Sequence, residues 1–351
     1  MPTINSMQES EQQQREKIVV WLDCDPGHDD VFAIILAGYS TDRIRLLGIS
    51  TVACNQTVEH TTENALRAID FYGLHGIPVV QGQPRPLIKA SQCCPEIHGS
   101  SGLDGLDGEP CLPPASSGQH PIRENAMAYI YDSISKEYNK GTTKVNVVAT
   151  GALTNIALLI ILYPEIVEMM RVTCMAGSIG AGNTGPVSEF NVQTDPHAFH
   201  RVLSSGVDVT MVPLEVTHTA LCTPRVLERI QSIGDASSLM ISKTIELLTF
   251  FADTYKKVFK FSDPPLHDPC AVAYVLDPGI FSAERLYVHV DTSLDGPSSG
   301  QTIVDIWHHL GKEPNVNVCM TMNTDAFWDY MIHAIQRAHD DNVHPCYSES
   351  P

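Results

Sequence analysis

Positive charge is scarce in this chain. Lys and Arg number 22 against 41 Asp and Glu, leaving a formal charge of -19 over 351 residues. Such a protein repels a phosphate backbone rather than gathering it, so a nucleic-acid polymer is not expected as a partner. The same excess of acid fits a protein that binds cations or acts on neutral small molecules, although an acidic surface that only aids solubility is the commoner explanation. Long apolar runs are missing too. The longest, ALLIILY at 157–163, is far too short to span a bilayer and follows the polar TGALTN, so no membrane segment is expected. The start, MPTINSMQESEQQQREK, has no apolar signal core. The ten cysteines are scattered without a CxxC, and the one adjacent pair, Cys93 and Cys94, would make an awkward disulfide. Free thiols in a reducing compartment follow, and a cytoplasmic location is expected.

What the chain does have is apolar content, 43%, enough for a sizeable core in one large domain or two smaller ones. From Lys17 onward, short β-branched runs (KIVVWLD, IRLLGIST, IPVVQG, KVNVVAT, VTCMAG, VDVTMVP) alternate with stretches of helical spacing such as VFAIILAGYS, TVEHTTENALRAIDFYG, ENAMAYIYDSISKEY and HAFHRVLSSG. Continuous apolar strands with helices between them are what a parallel sheet covered on both faces requires. The expected fold is therefore α/β: a Rossmann-like, doubly wound, mostly parallel sheet flanked by helices. One domain is expected over residues 17–345, with a disordered tail at 1–16 and a short tail at 346–351. Two segments break the alternation. Residues 93–121 are rich in Gly, Pro and Ser and too long for an ordinary connection, which makes them either a functional loop or a linker, with a loop near the site the favoured reading. LYVHVDTSLDGPSSGQTIVDIWHH reads as a hairpin with a long turn, a C-terminal appendage to the parallel core.

Residues 23–30 read DCDPGHDD directly after the apolar IVVWL. Asp23 and Asp25 end the first strand, Pro26 and Gly27 turn the chain, and Asp29 and Asp30 open a helix. One aspartate would be read first as a helix cap. Four that meet at one strand end repel one another and lose hydration, and a hard cation with oxygen ligands relieves both; carboxylates with carbonyls and water suit Ca²⁺ or Mg²⁺ better than Zn²⁺. PPLHDPCAVAYVLDP, 264–278, again sets an aspartate, Asp268, at the mouth of an apolar helix beside His267. In SEFNVQTDP, 188–196, Glu189 and Asn191 stand two apart, so that on a strand they would face one way, a pair suited to holding hydroxyls. An ordinary polar strand is the plainer alternative for that stretch. For His98, a lone loop histidine, plain solvation is the commoner reading.

DCDPGHDD followed by VFAIILA, then TVACNQT, VVATGALTNIAL, GNTGPVSEFN and HDPCAVAYVLDP, resemble in order the motifs of the inosine-uridine preferring nucleoside hydrolases. The resemblance implies hydrolysis of the N-glycosidic bond of ribonucleosides to free base and ribose, with one Ca²⁺ held tightly on a Rossmann-like sheet. By the same resemblance Asp25, Asp30 and Asp268 match metal-binding aspartates, joined by the carbonyl of Thr150. Asp25 also matches the general base that takes a proton from a calcium-bound water. Asp29, Asn55, Asn183, Glu189 and Asn191 match residues that hold ribose hydroxyls, with Met175 lining the same pocket. His267 matches a histidine that assists departure of the base, His98 and Tyr255 match side chains around the nucleobase, and Asp23 matches a supporting acid. A homo-oligomer, dimer or tetramer, is implied as well. The pocket residues do not separate uridine from inosine; likeness over the whole chain to eukaryotic uridine nucleosidases leans towards uridine.

The chemistry needs these residue types. Breaking the bond from C1′ to the base builds oxocarbenium character that carboxylates stabilise. Water at neutral pH needs an activating cation and a proton acceptor, and a positioned histidine typically supplies ~10²–10⁴-fold to departure of a leaving group. Two rivals remain at this level. DCD at the end of a first strand also resembles the haloacid-dehalogenase-like phosphohydrolases, but Pro26-Gly27-His28 follows and the net charge is unfriendly to phosphate. A non-catalytic, calcium-stabilised binding protein would keep the aspartates and need neither base nor leaving-group acid.

Overall fold

A computed structural model describes residues 17–343 apart from 117, 142 and 236; the expected tails at 1–16 and 346–351 lie outside the described residues. The strands are β1 (Ile18–Cys24), β2 (Ile44–Thr51), β3 (Val79–Gln81), β4 (Val145–Ala149), β5 (Met170–Met175), β6 (Asp208–Val212), β7 (Phe281–Leu286), β8 (Val288–Val290), β9 (Thr302–Val304) and β10 (Val316–Met322). The helices are α1 (His28–Tyr39), α2 (Val58–Phe71), α3 (Pro95–His98), α4 (Ala126–Tyr138), α5 (Thr154–Leu162), α6 (Phe190–Thr194), α7 (Pro196–Leu203), α8 (Leu214–Thr217), α9 (Pro224–Gln231), α10 (Leu239–Val258), α11 (Pro269–Leu276) and α12 (Thr324–Val343).

The main sheet has the order β3-β2-β1-β4-β5-β6-β10-β7, parallel except where β7 runs antiparallel to β10 at the edge. The six β-branched runs of the sequence are β1 to β6. Strand β1 shows why a continuous apolar run was needed. Val20, Leu22 and Cys24 pack into the core layer that holds Phe32, Ile34, Tyr72 and Phe327, while Val19 and Trp21 face the opposite layer with Val147, Ile156 and Phe199. Both faces are covered, so no position of the strand is left for a solvent-facing polar residue. Helix α1 is apolar on every side for the same reason, with His28 through Ala37 all buried.

The hairpin is present as β8 and β9, paired antiparallel, but it does not end the fold. The chain returns from it through β10, which joins β6 in the main sheet, so the hairpin is an excursion between two sheet strands rather than a terminal appendage. Strand β7, FSAERL, is mostly exposed and carries no apolar run, which is why it escapes a periodicity reading; edge strands are often built this way. No described helix is long and apolar enough to cross a membrane.

Strand order reverses between β1 and β4, where the chain leaves in one direction to β2 and β3 and in the other to β5 and β6. Loops from the two halves diverge at that point and leave a crevice beyond the carboxyl ends of the strands. The DCDPGHDD turn follows β1 and the TGALTN turn follows β4, so both motifs stand at this crevice.

Candidate active site

The floor of the crevice is built from backbone turns. Gly27 caps α1, and Asp30, three residues on, reaches back to accept from the Gly27 N–H at 3.0 Å. The cap reading is therefore right for one aspartate. Asp30 also accepts from the Asp25 N–H at 3.3 Å, from Asn55 Nδ2 at 3.2 Å and from Thr150 Oγ1 at 2.8 Å. These bonds tie the ends of β1, β2 and β4 to the first turn of α1. Asp25 accepts from the Asn55 N–H through Oδ2 at 2.8 Å. Its Oδ1 is buried and has no hydrogen-bond partner. A side chain on Gly151 would collide with that same oxygen, so the TGALTN turn approaches only because residue 151 has no Cβ.

Asp29, Asp30 and Asp268 complete the acidic group, each offering an oxygen such that all three lie within 4.8 Å of one another. Asp268 arrives from across the sheet, immediately before Pro269 at the first position of α11. Burial, and then the charge of Asp30, push the carboxyls of Asp25 and Asp29 upward, Asp29 to about 7; burial and then Asp29 do the same to Asp268. No Lys or Arg lines the cleft among the described residues. Buried carboxylates without a cationic side chain, one with an orphaned oxygen, are a donor set that fits a hard divalent ion. Asp23 stands apart. It accepts from Ser50 Oγ and from Asn155 Nδ2, the latter at 2.7 Å, beneath the floor and not on the cleft wall. Asn155 bonds at the same time to the Thr51 carbonyl at 3.0 Å, and its own Oδ1 accepts from the Gln83 N–H at 2.9 Å.

Beside the acids stand Asn55, Thr150, Met175, Asn183, Glu189 and Asn191, all lining a cleft of about 200 Å³. Glu189 is not on a strand. It caps the short helix α6, and its carboxylate accepts from the N–H groups of Asn191 at 2.7 Å, Val192 at 3.1 Å and Gly177 at 2.9 Å. The expected pairing with Asn191 thus comes from a helical turn and not from strand alternation. Asn191 Nδ2 donates to the Thr150 carbonyl at 2.7 Å and to the Met175 carbonyl at 3.0 Å. Asn183 turns its Oδ1 inward to accept from the Phe190 N–H at 3.0 Å.

The remaining wall is aromatic. Along α10 and its cap, Phe251, Tyr255 and Phe259 recur every fourth residue, with ring centroids 4.6 Å and 4.9 Å apart. The Tyr255 hydroxyl meets His267 Nε2 at 2.7 Å, and Thr217 Oγ1 meets His267 Nδ1 at 2.7 Å. Burial, and then His218 nearby, hold the His267 imidazole well below its usual range, so it is neutral at neutral pH. His98 is not solvated, as a lone loop histidine usually is. It ends α3, is 5% exposed, and lines the cleft together with Cys94, Glu96 and Ile97. The long 93–121 segment does reach the site.

All the residues singled out in the sequence except Asp23, Asp25 and Asp30 line the cleft, and Asp25 and Asp30 lie fully buried just behind Asn55 and Thr150. Phe251, Val258, Phe259, Glu96, Ile97, Cys94, Phe190 and Thr184 line it too and were not anticipated. A signal existed for some of them, since Phe251 and Phe259 flank Tyr255 at helical spacing. Thr217, His28 and Asn155 act one step behind the cleft; Thr217 gave no signal, and His28 and Asn155 lie within the quoted motifs DCDPGHDD and TGALTN without having been singled out.

Comparison with known proteins bears on this geometry. The family model described as inosine-uridine preferring nucleoside hydrolase matches residues 20–329. A probable ribonucleoside hydrolase of Dictyostelium discoideum is 44% identical over 93% of this chain and 96% of its own length. An inosine-uridine preferring nucleoside hydrolase of Leishmania major is 38% identical over 91% of this chain and 98% of its own. Among solved structures, a purine-preferring ribonucleoside hydrolase from Gardnerella vaginalis superposes with a TM-score of 0.80 at 27% identity, covering 92% of this chain and 99% of that one.

Proposed function

The chain belongs to the inosine-uridine preferring nucleoside hydrolase family, and from that premise we propose how it hydrolyses the N-glycosidic bond of ribonucleosides. The observation that carries the reading is the orphaned Asp25 Oδ1, buried at the end of β1 beside three further carboxylates. The ion proposed is Ca²⁺, held by Asp25, Asp30, Asp268 and the Thr150 carbonyl, with Asp29 within reach of the same centre. Such an ion lowers the pKa of a coordinated water and neutralises the acids around it.

The protein's own groups then divide the work. Asp25 accepts the proton of the attacking water, for which Oδ1 has lone pairs to spare. Asp29, Asn55, Asn183, Glu189 and Asn191 hold the ribose hydroxyls, and Met175 closes the apolar side of the sugar. A deoxyribose would leave some of these buried groups unpaired, so ribose is favoured. The carboxylates next to the sugar stabilise the positive charge that grows at C1′ as the bond to the base breaks. His267, kept neutral by burial and with its two ring nitrogens held by Thr217 and Tyr255, assists the departing base through the Tyr255 hydroxyl rather than as a source of free protons. Phe251, Tyr255 and Phe259 give the flat base an apolar face.

Uridine is the proposed first substrate. A homo-oligomer is proposed on the family resemblance. The described cysteines are all free, which supports a reducing, cytoplasmic setting. The test is to incubate the purified protein with uridine, inosine, cytidine and a nucleoside monophosphate, with and without chelator, and to measure ribose and free phosphate. Ribose from the nucleosides, lost on chelation, is the expected result. Phosphate alone would point to a phosphohydrolase, and no product at all to a binding protein.

A further inference from the structure

The cleft occupies the carboxyl end of the sheet, and the amino end carries a second cavity, of about 780 Å³, at the starts of β1, β4, β5, β6 and β10. Five of the chain's 22 Lys and Arg line it: Lys17, Arg43, Lys144, Arg171 and Arg285. Asp208 is the one acid among the described lining residues, and it is paired with Arg285 at 3.3 Å. Lys144 donates to the Val167 carbonyl at 3.1 Å, and Arg43 reaches Asp277 through the Tyr330 hydroxyl. Lys17 and Arg171 have no partner among the described residues. The local charge is thus strongly positive on a chain that is acidic as a whole.

The floor of this cavity is polar where the fold would have it apolar. On the face covered by α1, α11 and α12, strand alternation places Asn146 with Val148, Thr173 with Met175, Thr210 with Val212 and Asn317 with Cys319, and in each pair only the second residue joins the hydrophobic core. Helix α11 packs on β4 and β5 but is only eight residues long, and its last turn forms the edge of the cavity. There the Tyr274 hydroxyl accepts from Asn317 Nδ2 at 2.7 Å. Thr173, Thr210 and Asn317 stand in register on neighbouring strands, a row of hydroxyl and amide groups. Thr173 is 2% exposed and lines the cavity, yet its hydroxyl has no hydrogen-bond partner among the described residues. A hydroxyl so deeply placed is costly unless something meets it.

We propose that this cavity binds a small phosphate ester, with its phosphate held by Lys144 and Arg171 and its hydroxyl-bearing remainder over the row of Thr173, Thr210 and Asn317. Lys144 and Arg171 project to the same face from the adjoining starts of β4 and β5, so one anion reaches both. An arginine fork beside a lysine point charge suits a doubly charged group. The net charge of -19 does not prevent this. Salt screens exposed charges beyond about 8 Å at physiological ionic strength, whereas these cations would touch the ligand. The site is independent of the nucleoside-hydrolase reading, since no residue is shared with the cleft.

The test is titration calorimetry on the full chain with ribose 5-phosphate, ribose and inorganic phosphate. Ribose 5-phosphate should bind saturably, inorganic phosphate more weakly and ribose not at all. Arg171→Glu, at an exposed position, should weaken ribose 5-phosphate by about tenfold or more and leave uridine turnover within about twofold. Asp208→Asn removes the lone acid and frees Arg285, so it should tighten binding by roughly threefold. Because the two variants act in opposite directions, a general loss of structure cannot produce both results. Asp29→Ala, in the cleft, should leave the affinity unchanged. The proposal is overturned by the absence of saturable binding, by affinity indifferent to both charge variants, or by affinity lost in Asp29→Ala. Equal affinity for inorganic phosphate would reduce the cavity to an adventitious ion site and remove the floor from the account. A change of oligomeric state in Arg171→Glu at unaltered affinity would make this face a contact between copies instead.

Discussion

The floor and the wall of the cleft are made in different ways. The floor comes from tight turns at the ends of β1 and β4, and its polar atoms are bound several times over; Asp30 alone accepts from four groups. The wall comes from α10 and the short α3, far apart in sequence, and holds mainly by ring packing, with few polar ties. The reacting bond calls for carboxylates fixed in place, because a shift of an ångström at the nucleophile is costly. The base only has to be stacked and distinguished, and rings that slide a little still serve. The contrast predicts that damage to the floor removes the reaction, while damage to the wall alters what is accepted.

The largest effect is expected from Asp25→Asn. The amide still fills the space beside Gly151 and keeps the fold, but it accepts no proton from water, so kcat should fall by ~10²–10⁴-fold at unchanged Tm. Normal ribose release by this variant would break the contrast. Asp30→Ala comes next. It removes the acceptor of four buried hydrogen bonds along with a carboxylate of the cation site, so equilibrium dialysis should find calcium affinity reduced, and the donors left unpaired should cost more stability than the ~1 kcal/mol of a single lost cap. Tight stoichiometric retention of calcium would count against the site.

His267→Ala sits between floor and wall. Natural nucleosides should slow by roughly 10²-fold, while a nucleoside with an activated leaving group, which departs without help, should slow much less. The same loss on both would make His267 a packing residue. The smallest effect is expected from Phe259→Ala. Losing one stacking face should raise KM by about tenfold with little change in kcat, in line with roughly 1–3 kcal/mol per stacked base. A fall in kcat as large as that for Asp25→Asn would show that the wall is as exacting as the floor.

The same contrast explains what could be read from the sequence. The floor lies within DCDPGHDD, TGALTN and HDPC, short stretches whose turn residues and charges are unusual in themselves. Six of the seven parallel strands, β1 to β6, were legible for a similar reason, since burial on both faces writes a continuous apolar run. The wall was mostly illegible. Phe251 and Phe259 share helical spacing with Tyr255, but that spacing alone marks any apolar face of a long helix until α10 is laid over the cleft, and Thr217 matters only through the ring it touches. Strand β7 was missed because an exposed edge carries no apolar run, and Glu189 was placed on a strand because a five-residue helix is too short to display a period. In each case the missing information was a contact across the chain.

Asn155 bears on how the cleft adjusts to a ligand. One amide fastens Asp23 of β1, the Thr51 carbonyl of β2 and the Gln83 N–H beyond β3 to the start of α5. The ends of β1 and β2 and the segment just after β3 are thereby tied to the helix that follows β4. Any adjustment of the cleft to a ligand is then expected on the opposite side, at the C-terminal end of α10 and the residues around Ile97, where ring packing rather than such a tie holds the wall.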